Sequence, residues 1–454
     1  MKASLIFICL CLLLTVSACR SDEQIAAPIP NEPRSFKIAC CDETTFNFQY
    51  RDYFDAYYPE WDITLVPLAD EALNGDGKVD ALRRLLDNEK PDLLILHAFH
   101  YPVMANNGML RDLEELSNRD KADLSSIPQG VVDALKMNDE QKLFGLSPFF
   151  HAPALYYNKD MFRKMGIPSP SGPMTWTETL LLANRFMKDE RMEKDSYGLH
   201  INGIHKPLDL IRLIASTESV NDVNEATGKL TVNTGRWRDI FTDVLTAYAQ
   251  GTFSTMNFAG KSVDGVVRYG PEETSKMDLF TKGLAAMTVA QEDLMRRLKT
   301  NKPGFQWGVV AGPTNSRDGS RGGWYSTGDT FSIPIGSPQP EQAWNVIKTM
   351  MSERAGKASV ALDEGLFSHI DYPKWKGDPD YKVFYELRPA EKASVVSHPV
   401  VPPSFYKSYE EIADRAIMSA LQNEIGVEEA LSRIQSEAEA LFGHTMKKIE
   451  HSGS

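Results

Sequence analysis

Cysteine is scarce in this chain, and its placement excludes a fold built on disulfides. Of five cysteines in 454 residues, Cys9, Cys11 and Cys19 fall in the first nineteen. The body keeps only the neighbours Cys40 and Cys41. A bridge between adjacent residues is strained, so the stapled framework of a small secreted domain is absent. Nor does a body of about 420 residues need staples. An excess of positive charge is also missing. Lys and Arg number 49 against 62 Asp and Glu, a formal net charge of −13. That speaks against nucleic acid or an anionic membrane face as the main ligand. Beyond residue 19 no apolar run approaches the ~20 residues of a spanning helix. A Gly-x-Ser-x-Gly elbow and an HExxH helix are absent too. Nine histidines are no enrichment. The spacings His97-x-x-His100 and His200-x-x-x-x-His205 lack a Cys or carboxylate to complete a metal set, so they read as loop or core residues. Neither a metal nor a cofactor is expected.

What is present begins at the N-terminus. Lys2, the apolar run Leu5–Val16 and the small residues Ser17 and Ala18 have the form of a secretory signal. The sequence Leu14-Thr15-Val16-Ser17-Ala18-Cys19 resembles the lipobox of bacterial lipoproteins, which implies a leader over 1–18 and a lipidated Cys19. The next fifteen residues, Arg20–Arg34, carry three prolines and no periodicity. They read as a semi-extended linker reaching roughly 50 Å when stretched. The expectation is an exported protein, tethered to the outer face of the bacterial membrane through its lipid alone.

The body alternates strand and helix signals. Phe36–Cys40 is β-like, a helical stretch runs through Tyr53 and Tyr57, and Trp61–Pro67 alternates as a strand. Asp80–Leu86 has helical leucine spacing, and Leu93–Leu96 is a short apolar run that fits a strand buried on both faces. Tyr101–Leu116 reads as one further helical segment, and Lys142–Ser147 continues the alternation. This order indicates an α/β fold with mainly parallel sheets. Farther on, Thr175-Trp176-Thr177-Glu178 is a capping box. Trp237–Tyr248 has helical spacing, and Pro340 opens a helix with Trp344, Ile347 and Met351 on one stripe. Tyr409–Leu421 and Val427–Phe442 close the chain as amphipathic helices.

Four segments carry a wider resemblance. They are Leu155–Phe162 with Gly166-Ile167-Pro168 and Thr175–Glu178; Gly283–Val289; Trp307–Val310 with Gly312-Pro313 and Gly322-Gly323-Trp324; and Gln342-Ala343-Trp344. In this order they are similar to the sugar-binding group of extracellular solute-binding proteins that serve ABC importers, the maltodextrin-binding kind. The resemblance implies two α/β lobes joined by three crossings, near His151–Pro153, Trp324–Thr330 and somewhere in Tyr372–Val401. Lobe 1 would hold 35–150 plus 331–371, and lobe 2 would hold 151–330 plus 372–454. It also implies a monomer that captures a carbohydrate between the lobes and delivers it to ABC permease subunits, without catalysis. The opening strand departs from the pattern, since Cys40-Cys41-Asp42 stands where many sugar binders have Trp.

Ligands of such sheets sit beyond the carboxyl ends of strands, and polyols need hydroxyl partners and aromatic faces. The candidate ligand residues are therefore Asp42, Glu43, His97, Phe99, His151, Gln291, Glu292, Trp324, Tyr325, Asp329 and Tyr406. Trp324 follows two glycines and is the foremost stacking candidate, while Trp176 reads as core. Two alternatives share this reading: a lipoprotein presenting ligand to a membrane sensor kinase, and a secreted carbohydrate-active hydrolase with paired carboxylates.

Overall fold

A computed structural model describes residues 34–68, 78–137, 141–224, 227–254, 261–263, 266–268, 276–323, 325–359, 365–390 and 403–452. Two sheets dominate. The first runs Trp61–Pro67, Arg34–Cys40, Leu93–Leu96, Thr330–Ser332, Gly145–Leu146 across its width. Its first three strands are parallel, and Thr330–Ser332 lies antiparallel to both neighbours. All four residues of Leu93–Leu96 are buried, as a run apolar on both faces requires.

The second sheet runs Trp307–Ala311, Ala154–Asn158, Ala285–Ala290, Tyr197–Leu199. It is mixed rather than mainly parallel, for Ala154–Asn158 is antiparallel to both neighbours. This strand follows directly on a short connecting sheet. That sheet joins Ser326–Thr327, Phe149–His151 and Leu366–Phe367, all antiparallel. Outbound, the chain passes from Gly145–Leu146 through Phe149–His151 into Ala154–Asn158. It returns from Trp307–Ala311 through Ser326–Thr327 into Thr330–Ser332.

Helices cover both sheets. Thr175 and Glu178 complete the capping box of Trp176–Met187, and Trp176 is buried with its indole N–H donating to Thr217 at 2.9 Å. Gly198 is required where this helix meets the sheet, because a Cβ there would lie 2.1 Å from the Ala183 carbonyl oxygen. The expected single helix Tyr101–Leu116 is two, His100–Asn106 and Leu113–Asp120. Gly108, at φ +65°, turns the chain between them. The helix expected at Tyr409–Leu421 begins earlier, at Pro403, and the last one extends over Val427–Ser452.

Two hydrophobic clusters fill the body. Tyr372, Tyr381 and Phe384 pack into the first, whereas Phe405, Tyr409 and Ile417 pack into the second with Leu210 and Phe241. The chain thus changes core between residues 384 and 405. Among the described residues no helix is long and apolar enough to cross a membrane.

Candidate functional site

Residues from both sheets meet beside the connecting sheet, around a cavity of about 660 Å³. This lies within the roughly 300–1,000 Å³ of small-molecule sites. His97 enters from the carboxyl end of Leu93–Leu96, and Asp329 from the link between Ser326–Thr327 and Thr330–Ser332. His151 belongs to the connecting sheet. Gln291 and Glu292 open the helix Glu292–Asn301 at the carboxyl end of Ala285–Ala290. A carboxylate in that first turn is favoured by the helix dipole.

Two ionisable pairs organise the polar wall. His97 Nδ1 lies 2.5 Å from Asp329 Oδ1, and the Tyr50 hydroxyl donates to Asp329 Oδ2 at 2.5 Å. Burial pushes the Asp329 carboxyl up, but these two hydrogen bonds and the charge of His97 outweigh it, so the net shift is downward. Burial beside that carboxylate raises the Tyr50 hydroxyl, which keeps it a donor. Across the cavity, His151 Nδ1 lies 2.5 Å from Glu292 Oε1. This hydrogen bond raises the His151 imidazole against the opposing effect of burial. Glu292 is 5% exposed, and its Oε2 is buried without a hydrogen-bond partner. An unpaired buried acceptor is costly; a bound hydroxyl would satisfy it.

The candidates drawn from sequence therefore separate. His97, His151, Gln291, Glu292 and Asp329 come together at this cavity. Asp42 caps the helix Glu43–Gln49 instead, accepting from Thr45 N at 3.1 Å and Thr45 Oγ1 at 2.7 Å. Those bonds hold its carboxyl below the usual range. Glu43 is exposed in the first turn of the same helix. Phe99 is 55% exposed and stacks on His97 with ring centroids 5.7 Å apart. Neither it nor the two acids lines the cavity. Trp324 and Cys19 lie outside the described residues.

Tyr325 and Tyr406 line a different cavity, of about 620 Å³, together with Arg212, Asp222 and Glu410. It lies on the opposite face of the connecting sheet. Phe149 and His151 reach the first cavity, while Phe150 between them stacks on Tyr325 at 5.1 Å and 11°. Alternation along a strand puts neighbours on opposite faces. Sequence reasoning missed Tyr50, Arg296 and Tyr381 at the first cavity. Arg296 had a signal, since it stands one helical turn after Glu292; Tyr50 and Tyr381 had none.

Among the described residues no group of three or more His, Cys, Asp or Glu is arranged to hold a metal ion. His200 Nε2 is engaged by Met277 O at 2.8 Å and Asn202 Oδ1 at 2.9 Å, and burial lowers its imidazole.

Comparisons with known proteins agree with this architecture. A binding protein of Brucella abortus (strain 2308) is 24% identical over 372 residues, covering 74% of this chain and 82% of its own length. The sugar-binding protein MalE of the phytopathogen Xanthomonas citri superposes with a TM-score of 0.64 at 15% identity, covering 92% of this chain and 99% of its own. An ABC substrate-binding protein of Listeria monocytogenes, solved in complex with cycloalternan, superposes with a TM-score of 0.55 at 17% identity, covering 91% and 100%. The shared fold is two-lobed and α/β. The family model of the bacterial extracellular solute-binding proteins matches residues 49–357. On that span, and with a ligand-sized cavity between two sheets, this chain belongs to the bacterial extracellular solute-binding proteins.

Proposed function

We propose that the chain captures a carbohydrate in the cavity between His97–Asp329 and His151–Glu292 and delivers it to the permease subunits of an ABC importer. The observation that carries this reading is the unpartnered Oε2 of Glu292, held beside a histidine that balances its charge. A buried acceptor whose charge is already balanced calls for a neutral donor, and a sugar hydroxyl is one. The lobes would be 35–150 plus 331–371 and 151–330 plus 372–454, with the packing of Tyr372 and Tyr381 bracing the later segment against the first core. The protein acts as a monomer and a binder; it is not a hydrolase. A lipid on Cys19 holds it at the outer face of the membrane. Delivery to a sensor kinase would use the same cavity.

A thermal-shift screen against maltose, mannitol and longer oligosaccharides tests the ligand class. A ligand that binds only the folded state raises the midpoint, by about 2.7 kcal/mol of stability at a hundred times its Kd. No shift with any carbohydrate, and a shift with another solute, would overturn the class. Replacing Cys19 with Ser should move the protein from the membrane to the soluble fraction; retention at the membrane would refute the anchor.

A further inference from the structure

We propose that Cys40 and Cys41 are a site of reversible covalent modification, in which the two adjacent thiols close to a vicinal disulfide beside the ligand cavity. Both are free thiols, Cys40 fully buried and Cys41 half-buried. Their sulfurs already touch at 3.7 Å. Cys40 is the last residue of the strand Arg34–Cys40, where its carbonyl accepts from Leu68 N at 2.6 Å. Cys41 is the single residue between that strand and Asp42, the cap of Glu43–Gln49. An extracellular family adds the setting, since disulfides form and persist outside the reducing cytosol.

The chemistry balances with a disulfide-bearing oxidant. Cys41 is the attacking group: the Cys40 side chain hydrogen-bonds it and lowers its thiol, and it is the accessible one. Its thiolate attacks one sulfur of the oxidant, forms a mixed disulfide and releases one thiolate. With Cys41 held in the mixed disulfide, its hydrogen bond and charge no longer oppose ionisation of Cys40, which gives its proton to solvent, attacks Cys41 Sγ 3.7 Å away and releases the second thiolate. The protein loses two electrons and two protons; the oxidant leaves as two thiols.

The product is strained by construction. Adjacent Cα atoms are about 3.8 Å apart, short of the roughly 4.4–6.8 Å usual across a disulfide. Strained disulfides have more oxidising potentials and are the labile ones, so the bond serves as a reversible modification rather than a staple. Ring closure must twist the link that aims Glu43–Gln49. That helix leads directly into Tyr50, which donates to Asp329 in the cavity wall. The redox state of the pair therefore reaches the ligand site through one helix of seven residues.

Peptide mapping tests this on the exported full chain. Cleavage after Lys37 and Arg51 isolates both cysteines in one peptide, Ile38–Arg51. After incubation with oxidised glutathione and alkylation without reductant, the peptide should be unalkylated and lighter by two hydrogen atoms. After reduction it should carry two alkyl groups. The oxidised protein should also differ from the reduced one in thermal midpoint, and a Cys40→Ala, Cys41→Ala double variant should show no such difference. Two alkyl groups after oxidation, or a stable glutathione adduct on Cys41 without ring closure, would overturn the proposal. These readouts need no sugar, so they stand apart from any failure of the carbohydrate reading.

Discussion

The two cavities on either face of the connecting sheet are nearly equal in size, about 660 and 620 Å³, yet their walls differ in kind. In the first, charge sits in two histidine–carboxylate pairs, His97–Asp329 and His151–Glu292, and one carboxylate oxygen is left over. In the second, Arg212 pairs with Glu410 and lies 5.9 Å from the Tyr409 ring, while Tyr325 is held by Phe150. Burial raises the Asp222 carboxyl there, and the Arg212 guanidinium opposes that rise. The first wall is made to accept a donor and to respond to pH; the second is braced by groups that already have partners. The two cavities match in volume and differ in the hydrogen-bonding capacity of the carboxylates that line them.

The strand between the cavities should carry the largest effect. Phe150 is fully buried between Tyr325 and Tyr385. Phe150→Ala should cost about 3–5 kcal/mol of stability, read as a fall in denaturation midpoint. A loss below ~1 kcal/mol would mean that the two faces are not joined through this ring.

Next in size is a contrast of two carboxylates. Glu292→Ala should weaken sugar binding about 100-fold, ~2.7 kcal/mol, in titration calorimetry, while Glu410→Ala leaves it within about threefold. The reverse order would transfer the site to the second cavity.

A smaller effect concerns pH. His151 is raised in the folded state by Glu292, so its contribution to stability is fully present below the unfolded value near 6.5. It is lost as pH rises through the raised value. Stability of the wild type relative to His151→Gln should fall in that window. A flat His151 profile would break the pairing with Glu292. The smallest change is expected from Tyr406→Ala, which should alter sugar affinity less than about twofold; a tenfold loss would make the second cavity part of the ligand site.

Much of the fold was legible in the chain because the signals are local. Thr175 and Glu178 announce a helix start through their own side chains, and Leu93–Leu96 announces a buried strand through unbroken apolarity. Strand-end reasoning also reached His97 and Glu292, since the carboxyl ends of strands are where such sites gather, and the expected second crossing reached Asp329. Asp42 occupies a strand end too, yet it is used up as a cap.

By itself the sequence determined the order of elements, the core tryptophans Trp176 and Trp344, and the strand ends from which a site could be built. Those follow from periodicity, capping and burial, which act over a few residues. Only the tertiary structure decided that Tyr325 turns to one face and His151 to the other. It alone showed that Tyr50 reaches Asp329 across 279 positions, and that Glu292 keeps one oxygen without a partner. Long-range pairing and hydrogen-bond satisfaction depend on which segments meet in space, and no local pattern encodes that meeting.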